Sequence, residues 1–104
     1  MFIDTQERPA GEVQQKVGRL KLSEAIRIGA KLRPQCFASY FDGVRTCAIG
    51  AAWEGSGHPA RAGVGWEVTE YFGVDRSLTK EAERRNDLHE SRESIADWLQ
   101  SQGL

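Results

Sequence analysis

The segment from Cys47 to Trp53 has no polar face when its residues are placed on a helical wheel. A helix that is apolar on all sides must be covered on all sides, so this pattern predicts a helix at the centre of the fold. Thr46 is the expected N-cap, and Gly55 is expected to end the helix in the left-handed conformation. The small residues of the segment, which let neighbouring elements come close, are Ala48, Gly50, Ala51 and Ala52.

A second helix is predicted from Ser23 to Leu32, where apolar residues recur at helical spacing on one face and charged residues occupy the other. Ser23 is a favourable N-cap, and Pro34 ends the helix because the residue before a proline resists helical angles. Residues 66–72 fit either a strand or a helix. We favour a short helix, because Gly73 follows these residues as a typical C-terminal residue.

The C-terminal part of the chain predicts two more helices. The first, over residues 78–85, is polar and offers only Leu78 and Ala82 to a core. The second begins after the N-cap Ser91 and ends at Gly103. Its narrow apolar stripe consists of Ile95, Trp98 and Leu99.

A hairpin is predicted before the central helix. Residues 36–41 are aromatic and strand-like, and Asp42-Gly43 after them is a typical hairpin turn. Residues 44–46 would form the short returning strand, packed against helices, because an isolated two-stranded ribbon is only marginally stable. The expected fold class is therefore mainly α, or α+β, with about four to five helices and one short β-hairpin around Asp42-Gly43.

The chain of 104 residues has the length of one domain with one modest core. Residues 21–104 carry the periodic apolar pattern and are expected to form a single helical domain. Residues 1–20 form an N-terminal extension with few apolar residues, and we expect residues 1–11 to be disordered. A marginal helix over residues 12–20 could use the apolar residues Val13, Val17 and Leu20.

The composition narrows the possible partners. The net charge of −1 removes the overall basic balance that is typical of nucleic-acid-binding proteins. No apolar run approaches the roughly 18 residues of a membrane span, and the N-terminus lacks the pattern of a signal peptide. We therefore expect a cytoplasmic protein with no membrane contact and no cofactor. Its two cysteines are expected to be reduced thiols, because disulfides are rare in that compartment.

Cys47 is the candidate for catalysis. It falls in the first turn of the predicted central helix, where the helix dipole lowers the pKa of a thiol and favours the thiolate. With His58 or His89 nearby it would be a candidate nucleophile. The alternative, which we favour, is a small buried residue beside Ala48. Neither histidine has a partner at the spacing of metal ligands, so no metal site is expected.

Three polar residues are candidates for binding, namely Arg61, Asn86 and Asp87. Arg61 lies in a predicted loop over residues 55–65, which contains four glycines and one proline. A phosphate cradle is one interpretation of this loop, but it lacks the Gly-Lys-Ser/Thr ending, so we favour a flexible connection. Asn86 and Asp87 lie between two predicted helices. They form either the lip of a small-ligand pocket or, as we favour, a pair that bonds to loop amides.

Residues 78–99 are also similar to a helix-turn-helix DNA-binding motif, in which Ser91-Arg92 would begin the recognition helix. The typical glycine of the turn is missing, and Asn86-Asp87 stands there instead. Arg92 is the only cation of the second helix and is opposed by Glu93 and Asp97. Since phosphate contacts depend on Lys and Arg, DNA binding is the alternative and not the favoured interpretation.

Two blocks of the chain resemble a group of small bacterial and phage-borne proteins for which no activity is established. The first block is KLSEAIRIGA at 21–30 together with RTCAIGAA at 45–52, and the second is Asn86-Asp87 together with SRESIADWL at 91–99. The resemblance implies that the shared part begins near Lys21, which makes the preceding residues an extension. It supports a helical fold and implies no catalytic residue.

The sequence therefore predicts a non-catalytic cytoplasmic module that binds an unidentified protein partner or a second copy of itself. Some of its large aromatic residues are expected to form an exposed patch, because they exceed what so small a core needs. The alternatives are a DNA-binding regulator that uses residues 78–99 and a thiol enzyme that uses Cys47. The large aromatic residues are Trp53, Trp66, Tyr71 and Trp98.

Overall fold

The computed structural model describes residues 20–104, and within this range the chain forms five α-helices. The prediction of a mainly helical chain with four to five helices is confirmed, whereas the predicted disorder of residues 1–11 lies outside the described residues. The helices are α1 (Leu22–Ala30), α2 (Ala48–Gly55), α3 (Gly65–Phe72), α4 (Arg76–Asp87) and α5 (Arg92–Ser101).

Helix α2 lies at the centre of the core, as its apolar circumference predicts. Its residues Ala48, Ile49, Ala51 and Ala52 have no exposed surface. It packs most extensively against α1, and glycines make this close approach possible. A Cβ atom at Gly29 would overlap the Ala51 carbonyl group, and a Cβ atom at Gly55 would overlap the Ala25 carbonyl oxygen. The two backbones therefore touch where side chains would normally keep them apart.

The ends of α2 differ from the prediction. Cys47, and not Thr46, is the N-cap, and its Sγ accepts a hydrogen bond from the Gly50 amide at 3.4 Å. Gly55 stays inside the helix, and the positive φ of 98° occurs two residues later at Gly57. Thr46 is instead buried in front of the helix, where its hydroxyl oxygen accepts a hydrogen bond from Arg92.

The start of α1 also differs from the prediction, because Lys21 and not Ser23 is its N-cap. The Lys21 amide donates to Glu24 Oε1 at 2.8 Å, which closes the first turn. The Ser23 hydroxyl donates to the carbonyl oxygen of Leu104 at 3.1 Å, so this residue joins the first helix to the far end of the chain.

The remaining helices follow the predicted order. Residues 65–72 are helical, and Gly73 ends α3 in the left-handed conformation with φ of 65°. Helix α4 is longer than predicted, because Asp75 caps its start by accepting from the Ser77 amide and because it includes residues 86–87. Ser91 caps α5 as predicted, since its Oγ accepts from the Ser94 amide at 3.1 Å.

The predicted β-hairpin around Asp42-Gly43 is not formed in the described part of the chain. Asp42 does close a turn, because its Oδ1 accepts hydrogen bonds from the amides of Val44 and Arg45. However, Thr46 pairs only through isolated bridges, one with Phe41 and one with Gln35. No strand extends from the turn within residues 20–104.

Side chains of α4 explain why residues 36–41 form no strand. Asn86 Nδ2 donates to the Cys36 carbonyl oxygen at 2.8 Å, and Asp87 Oδ1 accepts from the Ala38 amide at 2.8 Å. Ala38 has a positive φ of 65°, which bends the backbone out of the extended conformation. Backbone groups that a strand would offer to its neighbour are therefore used by α4.

The five helices share one core, in which side chains of α1, α2, α3, α4 and α5 pack together. Among the described residues, seven partly buried apolar side chains pack against this core, and four of them line the candidate site. Among the described residues, no helix is long and apolar enough to cross a membrane. The fully or largely buried side chains of the centre include Leu22, Ile26, Ile49, Val68, Ile95 and Leu99.

Candidate functional site

A groove of about 300 Å³ opens where the start of α1, the end of α3 and the last residues of the chain meet. Five of its seven lining residues are apolar, and Lys21 supplies the one charged side chain of the lining. Such a surface offers van der Waals contact and little else. The lining residues are Leu20, Lys21, Leu22, Phe72, Val74, Gly103 and Leu104.

Two copies of one local motif contribute residues to the lining of this groove. After α3, Gly73 adopts a positive φ and the Val74 amide donates back to the Thr69 carbonyl oxygen at 3.2 Å. After α5, Gly103 adopts a positive φ and the Leu104 amide donates back to the Leu99 carbonyl oxygen at 3.0 Å. In this type of helix ending a glycine turns the chain so that the next apolar residue folds back onto the helix.

The floor of the groove is fixed by α1. Leu22 is almost fully buried in the core, and Leu20 is partly buried against it. The amide and the hydroxyl group of Ser23 both donate to the Leu104 carbonyl oxygen, at 3.2 and 3.1 Å. Leu104 is thus tied to the N-terminal turn of α1, where backbone amides lack partners within the helix.

The chemistry of the groove is that of a receptor for an apolar side chain. Among the described residues, no cysteine, histidine, serine or acidic side chain belongs to its lining, so no side-chain nucleophile or side-chain carboxylate base faces it. Phe72 and Val74 flank a helix end that is closed by hydrogen bonds, and both pack against the core. The groove can therefore bind an aliphatic or aromatic group by burial alone.

A second, smaller recess of about 140 Å³ is polar. Its carboxylate Glu83 is already engaged, because Oε2 accepts from the Tyr40 hydroxyl at 2.9 Å and from Arg76 Nη1 at 2.7 Å. Burial and the neighbouring Glu83 raise the pKa of the Tyr40 phenol, which therefore stays protonated. The recess is lined by Ala38, Ser39, Tyr40, Glu83 and Asp87.

The predicted binding residues Asn86 and Asp87 serve the fold in this structure. Asn86 is fully buried, and its Oδ1 accepts from Gln35 Nε2 at 2.8 Å and from the Ala48 amide at 3.0 Å. Asn86 thereby joins α4 to the start of α2. Asp87 lies at the edge of the polar recess, but its Oδ1 is used by the Ala38 amide.

Arg61, the third predicted binding residue, has different neighbours. Its Nη2 donates to Glu67 Oε2 at 2.9 Å, and its guanidinium lies 5.7 Å from the centre of the Trp53 ring. None of its contacts involves Asn86 or Asp87, so the structure does not assemble the three predicted residues into one site.

Cys47 is placed as a core residue. Its exposed fraction is 4%, and burial raises the pKa of its thiol to about 11. A raised pKa is the opposite of what a thiolate nucleophile needs. The two histidines stack on aromatic rings. The ring centroids of His58 and Trp53 are 3.7 Å apart, and those of His89 and Phe37 are 4.1 Å apart. Within the described residues no group of acidic, cysteine and histidine side chains could hold a metal ion.

Arg92 lies inside the protein, although the helix-turn-helix interpretation requires it on the surface. Its exposed fraction is 8%, and its guanidinium donates to the carbonyl oxygens of Ala30, Arg33 and Thr46. Burial lowers the pKa of this guanidinium. Helix α5 turns its acidic residues towards Arg27 of α1, which lies 2.7 Å from Glu93 and 2.6 Å from Asp97.

The large aromatic residues do not form one exposed patch. Trp53 packs with His58 and Tyr71, and the Trp98 ring is covered by the Arg85 guanidinium at 4.1 Å. Trp66 is the exception among them, with 64% of its surface exposed and Arg76 at 5.6 Å from its ring centre.

No protein-family model, no curated protein and no solved structure matches the chain. The resemblance to small bacterial and phage-borne proteins therefore stays a prediction. The groove was not predicted from the sequence, although two dipeptides signal it. Gly73-Val74 and Gly103-Leu104 are each a glycine and an apolar residue after a helix, which is the pattern of the motif that builds both walls.

Proposed function

We propose that this protein is a non-catalytic binding module whose groove accepts one apolar side chain of a polypeptide. The observation that carries the proposal is the groove itself, with five apolar lining residues and a volume of about 300 Å³. That volume is at the lower end of the range for small-molecule pockets, and it has room for a single leucine or phenylalanine side chain.

The energetics of such a site favour weak and reversible binding. Burial of one large aliphatic or aromatic side chain contributes about 1.5–3 kcal/mol. This free energy alone corresponds to millimolar or weaker affinity, so a partner must add contacts on both sides of the side chain that enters the groove. A short helix or an extended segment of a protein partner can supply them, which a free small molecule of the same size cannot.

Two other functions have less support. A thiol enzyme would need Cys47 as a thiolate, and burial holds its pKa at about 11. A DNA reader would need a basic α5, and the guanidinium of Arg92 is bonded to backbone carbonyls inside the fold. A cytoplasmic location and a homo-oligomeric state remain predictions from the sequence.

The proposal is tested with N-acetyl-leucinamide, which carries a leucine side chain and two peptide groups. The full chain is labelled with ¹⁵N, and amide shifts are followed as the probe is added. Since one leucine side chain binds only weakly by itself, we expect shifts that approach saturation at roughly tens of millimolar probe and that are largest for residues 20–22, 72–74 and 103–104. Shifts of equal size over the whole surface, or shifts that centre on Trp66, would contradict the proposal.

A matched pair of variants makes the titration specific. Val74→Asp places a carboxylate in the groove, and we expect it to abolish the saturable shifts. Val44→Asp makes the same change at an exposed valine, which has 64% of its surface accessible and does not line the groove. It should leave the titration unchanged. Amide spectra of both variants without probe show that the fold is retained.

A further inference from the structure

We infer that a second surface of this protein binds an arginine side chain of a partner polypeptide. The surface lies where the segment after α1 meets the end of α4, and none of its residues lines the apolar groove. It combines an aromatic stack with the smaller polar recess, and we call it the Phe37 surface. Its residues are Phe37, Ala38, Ser39, Asp87, Leu88 and His89.

The aromatic part of this surface is a stack of two rings. The ring centroids of Phe37 and His89 are 4.1 Å apart, and the two ring planes differ by 25°. Both residues are exposed, so the stack leaves ring surface open to a partner. Leu88, which precedes His89 in the chain, is exposed as well. A guanidinium group binds favourably over the face of an aromatic ring.

The backbone on both sides of the stack is held by hydrogen bonds. Among the described residues, Ala38 and His89 are the two non-glycine residues with a positive φ, at 65° and 70°. The Ala38 amide donates to Asp87 Oδ1 at 2.8 Å, and the His89 amide donates to the Asn86 carbonyl oxygen at 3.0 Å. Because non-glycine residues keep this conformation only where their surroundings fix it, a partner meets a surface that is already ordered.

The polar recess beside the stack is negatively charged. Among the described residues, its lining contains the carboxylates of Glu83 and Asp87 and no lysine or arginine. Arg76 offsets the charge of Glu83, because its Nη1 lies 2.7 Å from Glu83 Oε2. Asp87 forms no ion pair with a described residue, and its Oδ2 accepts no hydrogen bond from the described part of the chain. The charge of Asp87 is therefore open to a cation of a partner.

The position of Asp87 at the end of a helix strengthens this argument. Asp87 is the last residue of α4, where the helix dipole already supplies partial negative charge, so a carboxylate is unfavourable there. The cations of the last turn do not compensate it, because Arg84 and Arg85 both pair with Glu81. A bound cation would relieve this local excess of negative charge.

The short distance between the carboxylate and the stack selects arginine as the cation. The Asp87 carboxylate lies at the peptide group between Phe37 and Ala38, since it accepts from the Ala38 amide. One ligand group must therefore satisfy a carboxylate and a ring face side by side. A guanidinium group does both, because it is planar and delocalised and donates several hydrogen bonds in its plane. An ammonium group is a strongly hydrated point charge and stacks less well.

Three acetylated and amidated tripeptides, Gly-Arg-Gly, Gly-Lys-Gly and Gly-citrulline-Gly, test the inference on the ¹⁵N-labelled full chain at one ionic strength. For Gly-Arg-Gly we expect amide shifts that are largest for residues 37–39 and 87–89 and that approach saturation at roughly tens of millimolar. Citrulline has nearly the same shape without the charge, and its peptide should bind at least about threefold more weakly. The lysine peptide should also bind more weakly than the arginine peptide. Equal binding of the arginine peptide and either other peptide, shifts centred elsewhere, or no shifts would overturn the inference.

A matched pair of variants locates the binding. Asp87→Asn keeps an oxygen that can accept from the Ala38 amide but removes the charge, and it should weaken binding of Gly-Arg-Gly by about threefold. Asp75→Asn is the control, because Asp75 is exposed and also accepts from a backbone amide, that of Ser77, and it should leave the affinity unchanged. Phe37→Leu should weaken binding by about twofold, because it removes the ring face. Equal affinity in Asp87→Asn and in the wild-type chain would overturn the inference. The citrulline comparison needs no variant, so it decides even where a substitution disturbs the fold.

Discussion

At the scale of single residues, Arg92 carries the most unusual role. A buried guanidinium normally faces a carboxylate, but the partners of Arg92 are carbonyl oxygens and one hydroxyl group. They come from the end of α1, from the turn after it and from Thr46 in front of α2. One side chain of α5 therefore joins two other segments. The sequence could not show this, because the acceptors are backbone atoms of residues far away in the chain.

Arg92→Lys is expected to lower the free energy of unfolding by roughly 1–3 kcal/mol, although the charge is conserved. An ammonium group cannot reach acceptors that are spread over Ala30, Arg33 and Thr46 with the geometry of a guanidinium. Urea denaturation followed by circular dichroism measures the change. Arg84→Lys is the control, because Arg84 is exposed and pairs with Glu81 on the same helix, and it should stay within about 0.5 kcal/mol. Equal effects of both changes would contradict the role of Arg92.

Cys47 gives the second prediction at this scale. Since burial raises the pKa of its thiol to about 11, we expect very slow reaction with a thiol-specific disulfide reagent at neutral pH. The rate should rise as the pH approaches that value, whereas in denaturant it should rise around the ordinary thiol pKa of about 8.5 and be much faster at neutral pH than in the folded protein. The Cys36→Ser variant isolates the signal of Cys47. A fast reaction of the folded protein at neutral pH would favour the thiol enzyme again.

At the scale of elements, the contact between α1 and α2 organises the fold. Periodicity predicted both helices and the central position of α2, because an apolar circumference is a local property of the sequence. The caps were predicted less well, since Thr46, Ser23 and Gly55 are all favourable residues that the tertiary contacts use differently. The prediction of a hairpin was wrong for the same reason, because tertiary contacts use its backbone groups differently. Its turn forms through the Asp42 side chain, but Asn86 and Asp87 take the backbone groups of the expected strand.

Gly50→Leu tests the close packing of α2. Even a Cβ atom at this position would overlap the Tyr40 carbonyl oxygen, so we expect a loss of stability of roughly 1–3 kcal/mol or more. Thermal unfolding provides the measurement. Ala62→Leu adds a similar side chain at an exposed loop position and should change the melting temperature little. An unchanged melting temperature in Gly50→Leu would show that α2 is not tightly enclosed.

At the scale of the whole molecule, the groove is where three distant parts of the chain meet. Its walls follow α3 and α5, and its floor is the start of α1. The two helix endings that build it were predicted at Gly73 and Gly103, but their spatial proximity was not, because it depends on how three helices pack. The binding residues predicted from the sequence, Arg61, Asn86 and Asp87, are all polar. The groove is instead apolar, and the glycine–apolar dipeptides that end α3 and α5 mark two helix ends without showing that they meet.

We propose above all that this groove is a receptor for an apolar side chain of a polypeptide. Selection of a random peptide library on the full chain tests it most directly, with each enriched peptide then measured against Val74→Asp and Val44→Asp. We expect peptides that share a large apolar residue, lose binding to Val74→Asp and keep binding to Val44→Asp. Peptides that bind Val74→Asp as well as the wild-type chain, or that share charged residues and no apolar one, would contradict it.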